Sequence, residues 1–64
     1  MKLWEAIKLL EEGKKVRMVS WEKDWYLCLD KQGYIVDEEG YCPTININWQ
    51  EWEIYKEGDE EGGN

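Results

Sequence analysis

The sequence contains no histidine, no phenylalanine, one proline and two cysteines. Without histidine, a Cys–His or Ser–His pair has no base, and a metal site would need both cysteines together with carboxylates. Cys28 and Cys42 could form one bridge, but two cysteines do not make the disulfide framework of a small secreted domain. We therefore predict reduced thiols, no metal, no cofactor and no catalytic residue, as expected of a protein that is not an enzyme.

Long apolar runs and an excess of basic charge are also missing. Charged residues appear at once, at Lys2 and Glu5, so we expect no signal segment, no membrane span and a cytosolic location. Fifteen acidic residues against eight basic ones give a net charge of −7. A protein this acidic is not a general binder of duplex nucleic acid, because phosphate contacts need a basic surface. The acidity is typical of plain solubility, or of a mimic that occupies the basic groove of another protein.

Aromatic residues are abundant, and all of them are Trp or Tyr: five of one and four of the other. Because every aromatic ring carries a polar atom, we expect these side chains to lie at interfaces or at a wet pocket. A chain of this size buries only about 60% of its unfolded surface. Oligomerisation, as a dimer or tetramer, is therefore the expected source of further buried surface.

Apolar spacing predicts the secondary structure. Residues 2–12 read as an amphipathic helix with Leu3, Ala6, Ile7 and Leu10 on one face, ended by Gly13. Thr44–Gln50 is predicted to be irregular or a single helical turn. Four strands are predicted, at Lys15–Trp21, Trp25–Asp30, Tyr34–Val36 and Glu51–Tyr55.

These elements predict an α+β fold, with one N-terminal helix packed on a small antiparallel sheet of about four strands. Residues 1–56 are expected to form a single compact domain. Residues 57–64 are Gly, Asp, Glu and Asn, a composition that predicts a disordered acidic tail.

The segment from Gly13 to Trp21 combines basic residues with an indole in an otherwise acidic chain. Along the predicted strand Lys15–Trp21, alternation places Arg17 and Trp21 on the same face. Arg offers a planar fork for phosphate, and Trp offers a plane on which a nucleobase stacks. Asn46 and Asn48, in the late loop, could read ribose or base edges.

A purely structural interpretation of the same residues stays open. In it, Trp21 and Trp52 pack the sheet against the helix, and Arg17 pairs with Glu53 across strands.

Three separate parts of the sequence resemble one phage family. They are Trp-Glu-Ala-Ile-Lys-Leu-Leu-Glu-Glu-Gly-Lys-Lys-Val-Arg at 4–17 followed by Trp21, then Tyr-Leu at 26–27, and Trp-Glu-Ile at 52–54. Together they are similar to the family of the Thoeris anti-defence sponges, whose members sequester cyclic ADP-ribose-type or cyclic oligonucleotide immune signals. One relative is described as an anti-CRISPR. The resemblance covers roughly half of the chain.

The resemblance implies a homo-oligomer that holds its ligand between protomers with stacking aromatics and polar groups. By motif, Trp21 matches the stacking Trp, Arg17 matches the strand arginine, and Tyr26 belongs to the Tyr-Leu match. Trp52 matches the closing Trp, a core position. The chain departs from the family between Asp30 and Gln50, where longer members carry an extended segment; the polar residues expected to replace it are Thr44, Asn46 and Asn48.

The function expected from the resemblance is that of a phage anti-defence protein in the cytoplasm of the bacterial host. It would bind a nucleotide-derived immune second messenger without cleaving it, so that the downstream effector is never activated. Two alternatives remain open at this point. One is an acidic, anti-CRISPR-like inhibitor that docks on a basic site of a bacterial defence protein, and the other is a structural accessory domain.

Overall fold

The computed structural model describes residues 1–56, which form one α-helix packed on a four-stranded antiparallel sheet. The predicted α+β class is therefore confirmed. The predicted acidic tail, 57–64, lies outside the described residues. The elements are α1 Leu3–Glu11, β1 Val16–Met18, β2 Leu27–Leu29, β3 Ile35–Asp37 and β4 Trp52–Ile54.

The strands lie in the order β3-β2-β1-β4, and the pairing between the two central strands is short. β2 pairs with β3 over three residues, and β1 pairs with β4 over three. β1 and β2 meet in a single pair, Val16 opposite Leu27. The sheet therefore consists of two small ladders, and α1, which contacts β1, β2 and β4, holds them together.

The predicted strands lie in the right places, but three of them are predicted too long. β1 ends at Met18 because the chain turns there, where the Trp21 N–H donates to the Met18 carbonyl at 3.1 Å. β2 begins only at Leu27 because a second turn precedes it, closed by the Trp25 N–H on the Glu22 carbonyl at 3.0 Å. Apolar alternation thus continues in the sequence beyond the point where the backbone loses its ladder partners.

The ends of α1 follow from local chemistry. No Ser, Thr, Asp or Asn precedes the helix, so the Glu5 carboxylate reaches back and accepts the Lys2 N–H at 2.8 Å. At the other end Gly13 has φ +89°, and the Lys14 N–H donates to the Leu9 carbonyl at 3.0 Å. This is the glycine C-cap that the sequence predicts. Within residues 1–56, no helix has the length and apolar character needed to cross a membrane.

The core lies between α1 and the sheet. The predicted inward position of Trp52 is confirmed, since its side chain is 2% exposed. No polar or charged residue of the described part of the chain is fully buried, so apolar contact supplies the interior. The buried cluster consists of Ala6, Leu10, Val16, Met18, Leu27 and Trp52.

The turns before and after β3 share the pattern Asp-x-x-Gly-Tyr, at 30–34 and at 37–41. In both turns, the Asp Oδ1 accepts backbone N–H groups from the third and fifth residues at 2.9–3.0 Å. The Gly N–H also donates to the Asp carbonyl, and the Asp N–H donates to the Tyr carbonyl. Gly33 and Gly40 both have φ +89°, a conformation that glycine adopts without steric penalty. One local motif therefore builds both ends of β3.

We predict that Leu27→Ala destabilises the fold by about 2–5 kcal/mol, because Leu27 is buried and lies at the single β1–β2 pair. The free energy of unfolding, measured by urea titration with far-ultraviolet circular dichroism, checks this. Val19→Ala is the control, since Val19 is 46% exposed and its removal should change stability by no more than ~0.5 kcal/mol. Equal losses for the two variants would contradict the assigned core.

We also predict that Gly33→Ala and Gly40→Ala cost the same, about 1–2 kcal/mol each, because both turns hold glycine at positive φ. An added Cβ would meet no atom within 4 Å at either position, so the cost comes from the backbone alone. Gly40→Asn should cost less, since Asn tolerates this conformation better. Urea unfolding of the three variants measures the difference, and a neutral Gly40→Ala would refute the shared turn geometry.

Candidate functional site

A groove of about 300 Å³ opens on the helix-facing side of the sheet, beside β2 and β3. Its lining combines two indoles and an apolar floor with two carboxylates. This volume lies at the lower end of ligand-binding clefts, about 300–1,000 Å³. The lining residues are Trp21, Trp25, Leu27, Asp37, Glu38 and Pro43.

Strand register places the floor of the groove. Leu27 of β2 lies directly opposite Asp37 of β3, so their side chains share one face of the sheet. Trp25 precedes Leu27 by two residues, and its indole is 49% exposed. Glu38 follows Asp37 within the second Asp-x-x-Gly-Tyr turn, and that turn returns the chain to Pro43 at the rim.

Trp21 forms one wall of the groove and is anchored by the core behind it. Its ring packs edge-on against Trp49, with centroids 5.8 Å apart, and against Trp52, with centroids 5.7 Å apart. The predicted placement of Trp21 on the strand face of Arg17 is wrong, because β1 ends at Met18 and the following turn brings the indole to the core side. Trp21 is therefore both a packing residue and a lining residue.

The two carboxylates of the groove are partly committed to the backbone. Asp37 Oδ1 accepts the N–H groups of Glu39 and Tyr41, and Glu38 Oε1 accepts the Tyr26 N–H at 3.4 Å. No hydrogen bond from residues 1–56 engages the second oxygen of either carboxylate. No lysine or arginine is among the lining residues, so the groove carries negative charge beside exposed aromatic surface.

Arg17 lies outside the groove, and its guanidinium is held by the protein. Nη1 donates to Glu53 Oε2 at 2.6 Å, while Nη2 donates to the carbonyls of Trp21 and Glu22. The side chain is only 14% exposed, and Nε is buried without a partner among the described residues. The cross-strand Arg17–Glu53 pair of the structural interpretation is confirmed, and in this geometry both terminal nitrogens of the fork are already used.

Tyr26 lies on the other face of the sheet from Trp21. Its ring stacks on Tyr55 with centroids 4.5 Å apart and planes inclined by 38°, and Lys15 Nζ lies 4.7 Å from its centroid. The structure therefore does not bring Tyr26 and Trp21 into one pocket. The two residues belong to separate aromatic clusters.

The predicted polar residues of the late loop are all exposed and do not line the groove. Asn46 Oδ1 accepts the Asn48 N–H at 2.8 Å, and the Asn46 carbonyl accepts the Trp49 N–H at 3.0 Å. These bonds form the turn that the sequence predicts within Thr44–Gln50. A ligand-binding role for Thr44, Asn46 and Asn48 stays a prediction.

Five lining residues were not predicted from the sequence: Trp25, Leu27, Asp37, Glu38 and Pro43. A signal for Trp25 was present, because it shares the alternation of Leu27 and so points to the same face. A signal for Asp37 was the repeated Asp-x-x-Gly-Tyr pattern, which ties the chain back on itself beside β3. Nothing in the sequence indicates that these turns lie next to Trp21.

Metal binding and disulfide formation have little support in the described part of the chain. Residues 1–56 bring together no group of three His, Cys, Asp or Glu side chains that could hold a metal ion. Cys28 and Cys42 are both free thiols.

Comparison of the chain with protein-family models, curated proteins and solved structures finds no match. The family resemblance therefore stays a prediction.

We predict that Arg17→Ala lowers the free energy of unfolding more than Glu53→Ala does, because Arg17 also holds two carbonyls of the turn after β1. Hydrogen bonds to charged groups contribute roughly 1.5–3 kcal/mol. A double-mutant cycle with both variants isolates the pair itself, at about 0.5–1 kcal/mol for a half-exposed partner. If the two single variants lose the same stability, the carbonyl contacts contribute nothing.

Proposed function

We propose that this chain is a phage anti-defence protein that binds and sequesters a nucleotide-derived immune messenger, of cyclic ADP-ribose or cyclic oligonucleotide type, without cleaving it. The observation that carries the proposal is the groove, in which two indoles lie beside two carboxylates, each with an oxygen that accepts no hydrogen bond from residues 1–56. The phage origin and the location in the bacterial cytoplasm rest on the family resemblance alone.

The groove suits the base of such a messenger. Indoles provide stacking surface, worth about 1–3 kcal/mol per base. Carboxylate oxygens accept hydrogen bonds from the amino and imino N–H groups at the edge of a base. Because no lysine or arginine of residues 1–56 lines the groove, the phosphates of the ligand would point away from Asp37 and Glu38. Binding of this kind removes the signal by occupancy and requires no catalytic residue.

We further propose that the chain works as a homo-oligomer. Large apolar side chains such as Trp4, Ile47 and Ile54 are exposed on a domain whose core is small. Contact between protomers would bury some of this surface. Light scattering coupled to size-exclusion chromatography measures the mass, and a monomer at working concentration would contradict this part of the proposal.

The direct experiment is thermal melting of the purified protein against a panel of cyclic dinucleotides and cyclic ADP-ribose isomers. A ligand that binds only the native state, present at 100 times its dissociation constant, stabilises by about 2.7 kcal/mol. For a domain of this size the melting temperature should rise by several degrees. A flat panel, with the native state verified by circular dichroism, would overturn the messenger proposal.

We predict that Trp25→Ala weakens messenger binding by roughly 5- to 150-fold, the loss of one stacking contact of about 1–3 kcal/mol. Trp25 is preferred over Trp21 because Trp21 also packs on Trp49 and Trp52, so its removal would disturb the core. The control is Tyr34→Ala, an exposed aromatic residue in the turn before β3 that lies outside this groove. Calorimetric titration of both variants should show loss for Trp25 only, and equal affinities would exclude the groove as the site.

A second candidate function is favoured by the charge of the groove. Asp37, Glu38 and the neighbouring Glu39 place three carboxyl groups in one turn, as an acidic inhibitor docking on a basic site of a defence protein would require. Deletion of 57–64 separates the two candidates. Messenger binding should survive the deletion unchanged, whereas a charge mimic should lose potency and, with fewer charged contacts, depend less on salt.

A further inference from the structure

We propose that the groove selects a positively charged, N-alkylated purine over the neutral parent base. This inference rests on the proposed function and narrows it, since it names the electronic state of the base that the messenger presents. It comes from the pairing of two indoles with two carboxylates in one groove, together with the absence of any lining lysine or arginine from the described residues.

Indoles distinguish a charged ring from a neutral one. The face of an indole carries negative charge density, so it attracts a cation, and Trp is the best of the aromatic residues for this interaction. A purine alkylated at a ring nitrogen carries a delocalised positive charge on a flat surface. It therefore keeps the stacking of the neutral base and adds the cation–π attraction. Trp25, half exposed at the groove, is the indole most available for it.

The two carboxylates of the groove also favour the charged base over the neutral one. Asp37 lies opposite Leu27 on the groove floor, and Glu38 lines the same space. A neutral base gains only hydrogen bonds from them, whereas a cationic base also gains Coulomb attraction from both. The charge of the base further offsets the repulsion between these carboxylates and the phosphates of the same ligand.

Other cations suit the groove less well. A tetrahedral ammonium presents no plane to lie along an indole, so it gains less contact area at the same charge. A guanidinium is planar and charged, and it is the side chain that a protein partner would offer. A purine covers more aromatic surface than a guanidinium does, and the exposed area of Trp25 favours the larger ring.

The test is calorimetric titration with two matched pairs of nucleosides, 1-methyladenosine against adenosine and 7-methylguanosine against guanosine. The buffer is slightly acidic, so that both methylated bases carry their charge. We expect the methylated member of each pair to bind about tenfold more tightly, a difference of ~1.4 kcal/mol. The preference for the charged base should shrink as the salt concentration is raised, because the groove is open to solvent and salt screens its charges.

Two variants test whether a carboxylate of the groove causes the preference for the charged base. Glu38→Gln removes one charge while keeping the Oε1 that accepts the Tyr26 N–H, so the preference should fall several-fold with the fold intact. Glu39→Gln is the matched control, since it removes the same charge one residue away, where the side chain is exposed and does not line the groove. Identical effects of the two variants would mean that only net charge matters and would overturn the assignment.

The outcomes separate this inference from the proposed function. Equal binding of methylated and neutral nucleosides would overturn the inference and leave nucleobase binding in place. Binding of neither kind would overturn both. N-acetylargininamide is titrated in parallel, and if it alone binds, the groove belongs to a cationic protein side chain and the acidic-inhibitor candidate replaces the messenger.

Discussion

The packing of the buried Trp52 indole is the interaction on which the rest of this structure depends. Its backbone pairs with Met18 on one side and with Met1 on the other, and its Nε1–H donates to the Trp49 carbonyl at 3.0 Å. Its ring supports Trp21 and Trp49 from below. A domain with few buried residues gains much of its apolar burial from one such side chain. The wall of the groove is therefore a by-product of core packing.

Charge is separated between the two faces of the sheet, and this separation shapes the functional proposal. Lys15, just before β1, and Arg17 of β1 lie on the face away from α1, next to Tyr26 and Glu53. Among residues 1–56, the charged side chains that line the groove on the other face are the carboxylates of Asp37 and Glu38. A ligand of the groove therefore meets aromatic surface and negative charge together. Under the proposed function, this groove would favour an electron-poor, hydrogen-bond-donating base and would leave the phosphates of the ligand in solvent.

Much of the fold could be predicted because its signals are local. The apolar spacing of α1, the glycine at its end and the turn residues around β3 each act within a few residues of sequence. The site was predicted only in part. Trp21 lines the groove, but not for the geometric reason given by alternation, which was extended past Met18; its role in ligand binding stays a prediction. Arg17 was assigned to phosphate, whereas Glu53, distant in sequence, already holds it.

By itself, the sequence determined the class of each element and the positions of the tight turns, because steric preference and turn chemistry are properties of short segments. Only the tertiary structure decided which aromatic residues meet. Trp21, Trp25 and the carboxylates of the second Asp turn come together because β2 joins β1 at one pair and β3 at three. Strand register and the ends of the ladders set that meeting, and both depend on contacts distant in sequence.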